Sequence, residues 1–244
     1  MKTKWLLLVV FSMFTSLCMA QTTRRTASTQ RKAATTQKKS STPQKKRSGI
    51  AVDLGLPSGT FWANMNVGAS KPEDFGNYFA WGETKPQREG QYNWKSYKWC
   101  NGEKNTLTKY CSNPNCGYNK FTDDKTTLEP EDDAATVNWG ATWCTPTKEQ
   151  WTELLNNTTI EDTRLNRILC YKFTSKINGN SIILPAAGWY NDGSHLNVNM
   201  SIGFAYWAST ISNYQSGIAD NILGTSTSGS MRYHGYPVRP VRKN

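Results

Sequence analysis

The sequence predicts an α+β domain with two main helices, small twisted antiparallel sheets and long loops. Three observations predict it. Short apolar and aromatic runs alternate with turn residues, as at Gly55-Leu56-Pro57-Ser58-Gly59, Asn101-Gly102, Asn178-Gly179-Asn180 and Asn191-Asp192-Gly193, and such punctuation favours short strands joined by loops. Helical apolar spacing is confined to two stretches. Those helices do not alternate with strands, which argues against a parallel α/β sheet.

The chain opens with Lys2 and Lys4, an apolar run of ten residues from Trp5 to Phe14, and small and polar residues ending Cys18-Met19-Ala20. That is the layout of a secretory signal peptide cleaved after Ala20. The run is shorter than the roughly 20 residues of a membrane-spanning helix. Lipidation at Cys18 is the competing reading, with Leu17 standing where lipoprotein signals carry a small residue. Both place the mature protein outside the cytoplasm: secreted, periplasmic or on the cell surface.

Residues 21–48 carry nine Lys/Arg, no acid, no aromatic and no large aliphatic side chain. Such a segment buries too little apolar surface to offset the entropy of ordering, so it is expected to be a disordered basic linker. It is a spacer, or it adheres to anionic surfaces by charge alone. The net charge of +11 belongs to residues 1–47, because from Ser48 onward eighteen Lys/Arg balance eighteen Asp/Glu. A neutral body excludes the reading of a basic domain that binds nucleic acid specifically.

The body is expected to start at Gly49 and run to Asn244. The first helix is expected from Pro130 to Asn138, with Pro130 at its first position and Glu131, Asp132 and Asp133 complementing the positive end of the dipole. The second is expected from Lys148 to Asn156, with Thr147 and Gln150 forming a capping box and Trp151, Leu154 and Leu155 on one face. Strands are expected at Lys172–Lys176, Ser181–Leu184, Gly203–Ala208, Ile218–Leu223 and Pro237–Arg242. The polar stretch Gly224–Gly229 reads as a loop at a strand edge.

Many ordered pieces between Ala51 and Arg242 resemble one family. They include Val52-Asp53-Leu54-Gly55-Leu56-Pro57-Ser58-Gly59, Phe61-Trp62-Ala63, Phe75-Gly76-Asn77-Tyr78, Ala80-Trp81-Gly82-Glu83, Asn138-Trp139-Gly140, Leu184-Pro185-Ala186-Ala187-Gly188, Tyr206-Trp207 and Val238-Arg239-Pro240-Val241. The family they resemble is the Fibrobacter succinogenes major paralogous domain family, found in secreted proteins of gut bacteria. The resemblance implies a C-type-lectin-like fold, distantly similar to formylglycine-generating, sulfatase-modifying domains, and hence a bacterial envelope. It implies no activity, since function sits on sites rather than folds.

Catalytic signatures are weak. The oxidase-like relatives use a reactive cysteine pair late in the chain, and here the last cysteine is Cys170. Two histidines, His195 and His234, give no arguable triad. No cofactor and no resident metal are expected. Calcium takes six to eight oxygen ligands; Trp189-Tyr190-Asn191-Asp192 superficially resembles a lectin calcium triplet without its partner tripeptide, and Asn191-Asp192-Gly193 also reads as a turn. Five cysteines remain after the signal. Cys111 and Cys116 flank a turn and are one disulfide candidate; Cys144–Cys170 is another, leaving Cys100 over.

The distinctive feature is an aromatic surplus: nine Trp, eleven Tyr and six Phe from residue 48. Trp62, Trp81, Trp139, Trp143, Trp151 and Trp207 lie in the family-like motifs and are expected in the core. Tyr92, Trp94, Tyr97, Trp99, Trp189 and Tyr190, interleaved with Asn, Lys and Ser, read as a stacking platform for a sugar or a protein partner, or as loop packing. Asn191 and His195 are added as polar contact residues. The resulting expectation is a non-catalytic, exported recognition module that binds glycan. A structural adhesion component docking on another envelope protein is the alternative, and a formylglycine-generating-like oxidase a remoter one.

Overall fold

The structure, a computed structural model, describes residues 48–212 and 217–243. All of them fall in one unit of the chain, Gln44–Asn244. The expected signal peptide and most of the basic linker lie outside the described residues. The architecture is α+β and rich in small antiparallel sheets.

Strand β1 (Ala51–Asp53) pairs with β2 (Thr60–Ala63), and β2 also pairs with β13 (Val241–Lys243), so one sheet joins the two ends of the domain. A two-stranded pair follows, β3 (Tyr78–Phe79) with β12 (Tyr236–Pro237). The hairpin β4 (Thr158–Leu165) and β5 (Ile168–Ser175) takes β6 (Ser181–Pro185) as its third strand. Strands β7 (Trp189–Asn191) and β8 (Ser194–Leu196) form an isolated hairpin. The last sheet has the order β11 (Ser226–Met231), β10 (Ile218–Leu223), β9 (Ala205–Ile211).

The expected first helix divides in two. Pro130–Asp132 is a 3-10 turn, and α1 runs from Ala134 to Trp139. The division follows from Asp133, which is the N-cap: its side chain accepts from the Ala135 and Thr136 amides. Asp132 is spent elsewhere, buried and paired with Lys109 Nζ at 2.5 Å. Helix α2 (Lys148–Asn157) has the expected cap, with Thr147 and Gln150 each bonding the other's backbone. Its Trp151 and Leu154 are fully buried.

Two strand expectations are corrected. Pro237–Arg242 is interrupted, because Val238, Arg239 and Pro240 leave the ladder between β12 and β13 and Arg239 turns inward to full burial. Much of Gly224–Gly229 belongs to strand β11, an edge strand whose exposed face is polar and therefore carries no apolar alternation.

The core is aromatic. Trp62 packs on Trp151 with ring centroids 4.6 Å apart, beside Phe173, Phe204 and Tyr206. Phe79, Trp81, Tyr110, Trp207 and Tyr236 form a second cluster. Full burial of one such side chain stabilises by about 1.5–3 kcal/mol. Three buried indoles find backbone carbonyls, with Trp81 donating to Ala208, Trp151 to Trp207 and Trp207 to Phe79, whereas the buried Trp62 Nε1 has no hydrogen-bond partner among the described residues. Of the six tryptophans expected in the core, five are buried and Trp139 is half-buried.

None of the five described cysteines forms a disulfide. Cys111–Cys116 is not closed; the buried Cys111 thiol donates to the Asn113 carbonyl within its own turn. Cys144–Cys170 is not closed either. Cys170 is fully buried on β5, whereas Cys144 is exposed and its backbone bridges to Val241.

Candidate functional site

The predicted aromatics collect around one loop, residues 90–104, and the β7–β8 hairpin. Most of the rings hold that region together. Tyr92 and Tyr97 are buried, and their hydroxyls donate to the carbonyls of Tyr78 and Trp81, each at 2.9 Å. Burial pushes both phenols far above the usual tyrosine range, so they serve as neutral hydrogen-bonded anchors. Neither offers a ring face to solvent. Trp99 donates to the Gly82 carbonyl at 2.8 Å, and Lys98 Nζ lies 3.9 Å from its ring centroid.

The hairpin is clamped by stacking. Tyr190 stacks on both Tyr92 and His195, with centroids at 5.2 and 4.3 Å and interplanar angles of 17° and 14°. Its ring is therefore held by two stacking contacts from within the chain. His195 is fixed in turn, its Nε2 within 3.0 Å of the Tyr78 hydroxyl and 2.9 Å of the Ala187 carbonyl. Trp189 stacks on Tyr236 at 5.7 Å. The Asn191 amide oxygen accepts from the Tyr233 hydroxyl at 3.3 Å. Asp192-Gly193 forms the two-residue turn, both with positive φ, as the Asn191-Asp192-Gly193 pattern implies.

Trp94 is placed differently. It is half-buried and meets Tyr97 and Tyr233 in edge-to-face geometry, at 5.6 and 5.0 Å. It lines an open cleft of about 490 Å³ together with Asn93, Lys95, Glu103, Lys104 and Asp192. The two walls are tied across the chain: the Asp192 amide donates to the Tyr92 carbonyl at 2.9 Å, and Asn93 Nδ2 donates to Asp192 Oδ1 at 3.3 Å. Gly235 makes the approach possible, since a Cβ there would fall 2.4 Å from the Tyr92 ring.

The structure thus retains one of the predicted aromatics, Trp94, in an open cleft, and commits Tyr92, Tyr97, Tyr190 and His195 to internal contacts. The rim residues Asn93, Lys95, Glu103 and Lys104 were not singled out by sequence, and Asp192 was read only as part of a turn or a calcium triplet. Their only local signal was polar interleaving between aromatics, which does not separate rim from filler. An aromatic ring beside amide, carboxylate and ammonium groups can stack on an apolar ring face and bond hydroxyls around it.

Among the described residues, no group of three or more His, Cys, Asp or Glu is arranged to hold a metal ion. No helix among them is long and apolar enough to cross a membrane. Comparison of the chain with protein-family models, with curated proteins and with solved structures returns no match.

Proposed function

We propose that this chain is a non-catalytic, exported recognition module of the cell envelope that binds glycan at the Trp94 cleft. The observation that carries the reading is the Trp94 ring in an open, polar-rimmed cleft while the neighbouring aromatics are locked inside. At about 490 Å³ the cleft falls within the roughly 300–1,000 Å³ of small-ligand sites. The mixed rim, with Lys95 and Lys104 beside Glu103 and Asp192, favours a sugar carrying polar or charged substituents.

The amino-terminal pattern of Lys2, Lys4 and the Trp5–Phe14 run supports export. The family-like motifs support a C-type-lectin-like fold of the Fibrobacter succinogenes major paralogous domain type. The basic segment 21–48 supports a tether to an anionic surface. A glycan array probed with the purified chain at low and high salt tests the reading. Salt-resistant binding that is lost in Trp94→Ala supports it; binding to polyanions alone, lost at high salt, refutes it.

A further inference from the structure

A second cleft adjoins the second core cluster through Val67 and Trp139, and its chemistry differs from that of the Trp94 cleft. It has a volume of about 230 Å³ and is lined chiefly by Gly68, Ser70, Asn77, Asn138 and Trp139. No charged side chain lines it. Trp139 forms one wall, held edge-to-face on Trp143 at 5.2 Å and half-buried. Asn138 is oriented from within: its Nδ2 donates to the carbonyls of Thr84 at 3.0 Å and Ala134 at 2.8 Å, which turns its amide oxygen into the remaining acceptor.

The part of the lining around Gly68 and Asn77 is also built. Gly68 has φ +82°, and a Cβ there would lie 2.5 Å from the Asn77 amide. The glycine therefore lets that amide lie flat against the backbone. The Asn77 backbone amide bonds the Val67 carbonyl at 2.8 Å, so the loop carrying it is pinned to the domain. Ser70 stands exposed at the mouth. An indole wall, the Asn138 and Asn77 amides and a hydroxyl, with no ionised side chain among the described lining residues, match a neutral polyol ring: C–H faces meet the indole while amides bond hydroxyls. At about 230 Å³ the cleft lies just below the roughly 300–1,000 Å³ of small-ligand sites, a size that suits a single sugar ring.

We propose that this cleft is a second binding site, specific for a single neutral hexopyranose residue and independent of the Trp94 cleft. The chain then contacts two points of a glycan, one through a charged rim and one through a neutral pocket. This goes beyond the reading of the Trp94 cleft and stands without it.

Ligand-observed NMR and calorimetric titration of the full chain with glucose, galactose, mannose and, as the charged control, glucuronic acid tests the proposal. The expected result is saturable binding of at least one neutral sugar, with glucuronate weaker by tenfold or more when both are titrated into the Trp94→Ala chain, where the charged-rim cleft no longer competes for the acid. Trp139→Ala removes that binding, and Trp94→Ala leaves it within twofold. Ser70→Trp, which fills the mouth from an exposed position, removes it while circular dichroism stays native; this second variant covers the case in which Trp139→Ala misfolds. Failure of every neutral sugar to saturate, or binding unchanged in Ser70→Trp, overturns the site. Binding lost in Trp94→Ala but kept in Ser70→Trp assigns the sugar to the Trp94 cleft and overturns this proposal while sustaining that one.

Discussion

Arg239 Nε donates to Asn66 Oδ1 at 2.8 Å, with both residues fully buried. The remaining guanidinium bonds run to backbone carbonyls, from Nη1 to Ala63 and from Nη2 to Ile183, each at 2.9 Å. All these acceptors are neutral. Burial accordingly draws the guanidinium pKa down to about 10, which leaves it charged at neutral pH. Arg239 thus joins the end of β2, the loop after it and β6 through one planar fork.

Replacing Arg239 with Lys keeps the charge but gives up the fork, stranding buried acceptors on three segments. The expected loss is about 3 kcal/mol or more in stability, read as a lowered urea midpoint. A midpoint within experimental error of the wild type would show that the fork is dispensable.

His234 gives the clearest pH dependence. Burial lowers its imidazole pKa to about 4, from an ordinary value of 6.5, and its Nδ1 is buried without a hydrogen-bond partner. Between those values the unfolded chain binds more protons than the folded one, so stability rises with pH across the window and is lost as pH falls through it. The contribution is at most about 3 kcal/mol, at ~1.4 kcal/mol per pKa unit. Denaturation midpoints from pH 4 to 7 are expected to flatten in His234→Gln; an unchanged slope contradicts this assignment.

Trp94→Ala separates binding from folding. Trp94 is half-buried and contributes edge contacts to Tyr97 and Tyr233, so a stability loss of about 1 kcal/mol is expected from the lost ring pairs. Glycan affinity at the cleft is expected to fall tenfold or more, about 1.4 kcal/mol. Equal affinities for the two proteins, measured on the same immobilised glycan, would exclude Trp94 as a contact.

Gly188 controls where the β7–β8 hairpin sits. Its φ is +62°, and a Cβ there would fall 2.1 Å from the Leu196 carbonyl oxygen. Gly188→Ala is expected to cost more than about 2 kcal/mol and to loosen Tyr190 from its two stacked neighbours. Hydrogen exchange checks this: protection of the Tyr190 and Asp192 amides should drop.

What the sequence disclosed depended on the range of the interaction. The capping box of Thr147 and Gln150 spans three residues and was legible, as was the Asn191-Asp192-Gly193 turn. Strand β10 was found to the residue because Gly217 and Gly224, both in turns, bound it. Strand β11, Ser226–Met231, was missed because an edge strand needs no apolar alternation. The division of the first helix was missed because Asp133, read as one acid of the first turn, is itself the N-cap and is held by Thr145, a partner 12 residues away. The fates of Tyr92 and Tyr97 were hidden for the same reason. Their hydroxyl acceptors, Tyr78 and Trp81, lie 14 and 16 residues away. A loop aromatic that anchors and one that stays accessible have the same composition around them.

The Asn93–Asp192 bond across the Trp94 cleft joins positions 99 residues apart. Neither wall exists as a binding surface until the hairpin has docked on the loop, so occupancy of the cleft is a reporter of completed folding. Any compound that fills it selects the finished molecule over every partly assembled form, and raises the melting temperature in proportion to the logarithm of its concentration above Kd.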